Sequence, residues 1–348
     1  MKSIKKFVSL LLVLAIAIFA FASCGKTEQV ESGGHGIGTD IETIRRLERP
    51  VLRIGSLTGP TTIGLVKLLD DADADTTENL YYSTLAGSAD ELTPLLIKGE
   101  LDAVAGPANL AAVLYAKTEG RIQMIAVTAL GVLDILSSDA NVQTWEDLKG
   151  RTIYATGKGS TPEYNLRYLL TENGLDPDKD VNIEFRSEPA EILALYSSLE
   201  DKSGFVAMFP QPYAAVAQTQ NQELRQVFDL SEEWDRLGVE SRMITACLMV
   251  RKEYAEENPK AIGNLISEFE ASANWVNSNT EQAAELTEKY IGIKAGIAKK
   301  AIPLCNIVSI TGSDMKEAVS AYFRILYDQN PSSVGGALPS DDFYYSAE

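Results

Sequence analysis

The side chains best placed for chemistry are hydroxyls and amides at glycine- and proline-rich turns, and the chemistry they suit is non-covalent capture. Residues 52–69, LRIGSLTGPTTIGLVKLL, set Thr58, Thr61 and Thr62 around Gly59 and Pro60, between two apolar runs. Glycine lets backbone approach a guest, proline suits a first helical turn, and the hydroxyls stand beside N–H groups that a helix start leaves unpaired. The same construction recurs at residues 156–162, TGKGSTP, where Gly159, Ser160 and Thr161 precede an apolar helix stripe and Ser160 and Glu163 have capping-box spacing. Ser88 and Glu91 share that spacing, and Gly106, Pro107, Ala108 and Asn109 open another apolar helix. Gln211 lies between Pro210 and Pro212, a stiff corner followed by Tyr213, whose ring suits either a guest or a half-buried core position.

Other chemistries are excluded. His35 is the only histidine and falls in the glycine-rich residues 25–50, so serine or cysteine catalysis with histidine, and zinc sites needing several histidines, are not available. The fragment Gly157-Lys158-Gly159-Ser160 is no nucleotide P-loop. That motif needs a glycine where Thr152 stands and a hydroxyl residue where Gly159 stands. Lys158 can face an anion or simply be solvated.

The elements carrying these loops alternate. Apolar runs at 51–54, 81–85, 101–105, 122–130, 132–136, 152–155, 181–185, 205–209 and 242–250 read as strands, most of them followed by segments of helical spacing. Such alternation predicts α/β architecture with parallel sheets covered on both faces and ligands at the carboxyl ends of strands. A long helix is expected over 259–278, and the tail reads as further helices over 281–290, 295–302 and 314–328 rather than a new sheet. A chain of 348 residues suggests about two domains.

Lys2, Lys5 and Lys6 before the apolar residues 7–22, closed by Ala22, Ser23 and Cys24, predict an export signal over 1–23 with a lipoprotein processing site at Cys24. Residues 24–49 then read as a flexible tether. Removing 1–23 takes away three lysines and no acid, so the formal charge of −18 becomes −21. Such a surface repels nucleic acid and anionic lipid. Cys247 and Cys305 remain, as buried thiols or as a pair.

The order of Cys24, LRIG with its polar loop, GELDAVAGPANLAAVLYAK, TWEDLKGRTIYATGKGSTPEYNLRYLL, FPQPYA, RKEYAEENP and the closing SSVGGALPSDDFYY resembles solute-binding proteins of the nitrate, taurine and sulfonate type, which serve ABC importers. The resemblance implies a two-lobed, type II periplasmic binding protein fold, each lobe a mainly parallel sheet flanked by helices. Lobe 1 would comprise residues 50–135 and 242–348, and lobe 2 residues 136–241. It implies ligand contacts at Thr58, Gly59, Ser88, Pro107, Asn109, Gly159, Ser160, Thr161, Gln211 and Tyr213, with no catalytic residue, metal or cofactor. Implied partners are a small-molecule ligand and the permease and ATPase subunits, for a monomer lipid-anchored outside the cytoplasm. Members that bind strong anions or bulky heterocycles carry arginine or aromatic clusters in these loops. Here the loops carry neither, so the expected guest is a small polar or anionic organic nutrient (sulfonate, nitrate or thiamine-precursor-like) held by neutral donors. Closure would hinge at 130–136 and 242–246. The alternatives are a lipid-anchored enzyme, or a signalling or adhesion protein, on the same fold. A thiamine pyrimidine synthase would need a reactive histidine and a cysteine cluster, both lacking in this sequence.

Overall fold

Nine residues of near-continuous apolar character, Ile122–Leu130, and the eight of Ile244–Arg251 form the middle of one sheet, because strands covered on both faces cannot alternate with polar residues. The structure, a computed structural model, describes residues 48–346. The expected signal segment, Cys24, His35 and nearly all of the tether lie outside them. From Arg49 the chain is held: its guanidinium pairs with Asp75 and donates to Thr77 O at 2.8 Å.

The first sheet contains β1 (Val51–Leu57), β2 (Leu80–Ala86), β3 (Ala103–Pro107), β4 (Ile122–Leu130), β10 (Ile244–Arg251) and β11 (Ile307–Ile310), in the order β11-β4-β10-β3-β1-β2. Strands β1 to β4 run one way. β10 is inserted antiparallel between β3 and β4, with Leu248 opposite both Ala105 and Ala126. The second sheet holds β5 (Leu133–Ser137), β6 (Thr152–Ala155), β7 (Asn182–Phe185), β8 (Val206–Pro210) and β9 (Arg225–Asp229), in the order β7-β6-β8-β5-β9. Only β5 runs against its neighbours. Each sheet is thus mixed, with most strands co-directional. Because Leu133–Ser137 pairs with β8 and β9, the change of sheet falls before Leu133, not at residue 135 as expected.

Two strands were not legible in the sequence. β9, RQVFD, has only two adjacent apolar residues, and β11, IVSI, is four residues long; both are edge strands. The tail is therefore helical with one strand added to the first sheet, and Tyr344 bridges Met124 beside it. The long helix spans Pro259–Ser278 and buries Ile262, Leu265, Phe269, Ala273 and Val276 at helical spacing.

The two sheets share one apolar core. It runs from Leu96 and Val104 through Val132 and Leu133 to Leu166 and Trp234, and returns through Tyr322 and Phe323 of helix Gly312–Gln329. The Trp234 and Tyr322 rings lie 5.6 Å apart, both fully buried, and the Tyr322 hydroxyl donates to Asn165 Oδ1 at 2.6 Å. Cys247 and Cys305 are free, buried thiols.

Candidate functional site

A hollow of about 480 Å³ lies where strand ends of the two sheets face each other. On the first side, β1 ends at Leu57 and the chain turns through Thr58 and Gly59, whose φ of 150° favours glycine, into the short helix Pro60–Ile63. β2 leads through Gly87 to helix Ala89–Lys98. There Ser88 and Glu91 form the anticipated capping box, the Ser88 N–H donating to Glu91 Oε1 at 3.1 Å. β3 ends at Pro107, and helix Ala108–Lys117 begins with no side chain over its first N–H groups. Those donors and the helix dipole favour negative charge. Thr58, Gly59, Ser88 and Pro107 all line the hollow.

On the second side β6 delivers the loop from Thr156 to Ser160 before helix Thr161–Glu172. Gly159 and Ser160 line the hollow as expected, but the Ser160–Glu163 capping box does not form. Ser160 Oγ donates back to Gly157 O at 2.7 Å, and the Glu163 carboxylate accepts instead from the Gly159 N–H at 2.7 Å. Gly157 and Gly159 both have positive φ, 78° and 72°, which turns the chain too tightly for the expected geometry.

Four expected contacts do not line this hollow. Asn109 and Thr161 are fully buried and spend their polar groups joining the two sides: Asn109 Nδ2 donates to Ser333 O at 2.9 Å and Gly159 O at 3.4 Å, while Thr161 Oγ1 donates to Thr245 O at 3.0 Å. Gln211, 3% exposed, turns to Asp134, its Nε2 donating to Oδ2 at 2.6 Å. Tyr213 sits between the apolar clusters of the two sides, and its hydroxyl is hydrogen-bonded to the Thr58 side chain. Burial pushes that phenol above its usual range. A fourth bridge is steric, since a Cβ on Gly87 would collide with the Glu188 carboxylate. The sides therefore touch around the hollow.

The loop after β7 was passed over in the sequence and supplies what the chosen loops lack. Phe185 and Arg186 line the hollow with Lys158. Arg186 pairs with Glu184 at 3.2 Å and lies 5.4 Å over the Tyr154 ring; Lys158 has no ion-pair partner among the described residues. Thr245, another lining residue unmarked in the sequence, has a buried hydroxyl with no hydrogen-bond partner. Leu57, Leu110, Val132 and Leu133 give the remaining wall an apolar surface. Hydroxyls, bare helix-start N–H groups and two cations around such walls suit a small organic molecule bearing a polar or negative end.

A profile of the NMT1-like family matches residues 74–291. A protein of Brucella abortus (strain 2308) named as a binding protein is 22% identical over 190 residues, which is 54% of this chain and 56% of that protein; the chain spans about half the length of the curated relatives it matches. Among solved structures, an ABC transporter protein from Parabacteroides distasonis superposes with a TM-score of 0.68 at 22% identity, covering 86% of this chain and 99% of the other. The periplasmic aliphatic sulphonate binding protein SsuA from Escherichia coli gives 0.67 at 17%, covering 86% and 93%. The periplasmic nitrate-binding protein NrtA from Synechocystis PCC 6803 gives 0.58 at 13%, covering 77% and 75%. With two mixed sheets facing each other across a hollow at their strand ends, and a family match over more than half its length, the chain belongs to the NMT1-like family and has the periplasmic binding protein fold.

Proposed function

We propose that this chain is the solute-binding component of an ABC-type importer, capturing a small organic molecule with a polar or anionic end between its two lobes. One observation carries the reading: loops from both sheets converge on one hollow, with an uncapped helix start on one side and Lys158 and Arg186 on the other. A guest there completes interactions that neither lobe makes alone, so binding favours the closed arrangement. The lobes divide at residues 131–132 and 242–243. Thr58, Gly59, Ser88, Pro107, Gly159 and Ser160 contact the guest. Asn109, Thr161, Gln211 and Tyr213 instead support closure, and Thr245 contributes its free hydroxyl. Sulfonates and nitrate, named for SsuA and NrtA, enter as first candidates. We place the anchor on lipid at Cys24, by the lysine-led apolar segment that precedes it, with a permease and ATPase as partners; no helix among the described residues is long and apolar enough to cross a membrane.

The test is a thermal-shift screen of purified protein against alkanesulfonates, taurine, nitrate and pyrimidine precursors, followed by calorimetry. A true ligand at 100 times its dissociation constant adds about 2.7 kcal/mol. Binding that survives Lys158→Ala combined with Arg186→Ala unweakened, or no binding by any small organic anion, overturns the assignment.

A further inference from the structure

Among the described residues four strands lie at sheet edges, and three of them are guarded. β11 and β7 are four residues long, and β7 carries Glu184. β9 begins at Arg225 and ends at Asp229. Short length and charge are the usual guards of an open edge, because unpaired N–H and C=O groups there can add a strand from another chain. β2 has neither. It runs for seven residues, Leu80–Ala86, with no charge, glycine or proline.

The middle of that strand is open on both faces of the sheet. Tyr82, Ser83 and Thr84 are exposed in succession, Tyr82 at 62%, although neighbouring side chains of a strand point to opposite faces. β2 spends its even-numbered residues on β1: the Leu80 N–H donates to Pro50 O at 2.8 Å, and Ala86 O accepts from the Thr58 N–H at 2.9 Å. Main-chain groups of alternate residues in a ladder face opposite ways. Those of Tyr81, Ser83 and Leu85 therefore point outward, where no strand among the described residues meets them.

We propose that β2 pairs antiparallel with β2 of a second copy of this chain, about a two-fold axis at Ser83, joining two six-stranded sheets into one. The register follows from the strand itself. Centring on Ser83 sets Ser83 against its own copy and Tyr81 against Leu85, so all three outward residues enter hydrogen-bonded pairs; a shift either way loses bonds. Tyr82 then stands opposite Thr84, and an aromatic beside a β-branched residue is a favourable cross-strand pair. Charge also selects the occupant. The chain carries −18, so two copies repel in general, and β2 offers an approach that sets no like charges opposite each other. A second copy brings the matching uncharged strand with it. Such a dimer replaces the monomer that the family resemblance implies. A two-stranded contact lies at the small end of interface sizes, so assembly is reversible.

Sedimentation equilibrium of the purified protein from ~1 μM to ~1 mM, the range in which small interfaces assemble, tests this. The wild type is expected to pass from single to double mass. Ser83→Pro removes an outward N–H that β1 does not use, and should raise the dissociation constant about tenfold or more while leaving the melting temperature of dilute protein unchanged. Ser83→Lys and Ser83→Glu each set like charges face to face at the axis. Each should be single alone, and the two should form a heterodimer when mixed. That exchange reads the register directly and decides the matter even if Ser83→Pro fails to fold. A wild type that stays single throughout overturns the pairing, as does Ser83→Pro associating as strongly as wild type, or a mixture of the two charged variants that does not associate. The readout is mass without ligand, so it is independent of what the cleft binds.

Discussion

The two rims of the cleft are built alike and finished differently. Both present strand, polar loop and helix start. On the second rim carboxylates cover loop donors just ahead of the helices, Glu163 accepting from the Gly159 N–H at 2.7 Å and Glu191 from the Ser187 N–H at 3.0 Å, while helix Thr161–Glu172 itself starts without a side-chain cap. On the first rim Ser88 and Glu91 cap one helix and Ala108–Lys117 starts uncapped. Cationic side chains are what separates the rims, with Lys158 and Arg186 both on the second. Backbone attraction for a negative end is thus offered by both lobes and side-chain attraction by one. In a chain of net charge −18 the wider field opposes anions, so recognition depends on both contributions at close range.

The sharpest way to break the contrast is to separate the halves. Tyr322→Ala removes a ring packed between Trp234 and Phe323 where the cores merge, and should cost about 3–5 kcal/mol in denaturant unfolding, with one cooperative transition. Two resolved transitions would show instead that the halves stand independently. Next, Lys158→Ala with Arg186→Ala should weaken binding of a small organic anion about tenfold or more, ~1.4 kcal/mol, while leaving the melting temperature of empty protein within a degree or two. Ser88→Ala on the first rim should do the opposite: the loss of its cap lowers stability by about 1 kcal/mol, read by denaturation, with a smaller change in affinity.

The smallest effect concerns acid. Asp342 is held down at about 2 by the Tyr115 hydroxyl first, then Ser340 and Lys252, and ties the tail to the first half. A folded value below the unfolded one means stability present above pH ~4 and lost as pH falls towards 2. Asp342→Asn should flatten that acid limb by less than about 1 kcal/mol, since the group is half exposed.

The strands buried on both faces were legible because continuous apolar runs such as residues 122–130 admit few other structures. β9 and β11 escaped because a short edge strand needs neither a run nor alternation. Within the cleft, Thr58, Gly59, Ser88, Pro107, Gly159 and Ser160 could be found since glycine, proline and hydroxyls at helix starts mark the carboxyl ends of strands. The same rule brought in Asn109 and Thr161, which face the opposite lobe; composition at a helix start does not distinguish a guest from a neighbouring wall. Phe185 and Arg186 were missed because the turn FRSEP carries no glycine and resembles ordinary surface.

The antiparallel insertion of β10 between β3 and β4 constrains how the protein can be made. A chain emerging from its amino end has β1 to β4 in hand early, yet no continuous sheet can be zipped from them until Arg251 has arrived to fill the vacant lane. Sequence-distant pairing of this sort slows folding. It also means that a chain stopping short of that strand holds every strand of the second sheet but leaves β4 unjoined to β3 in the first.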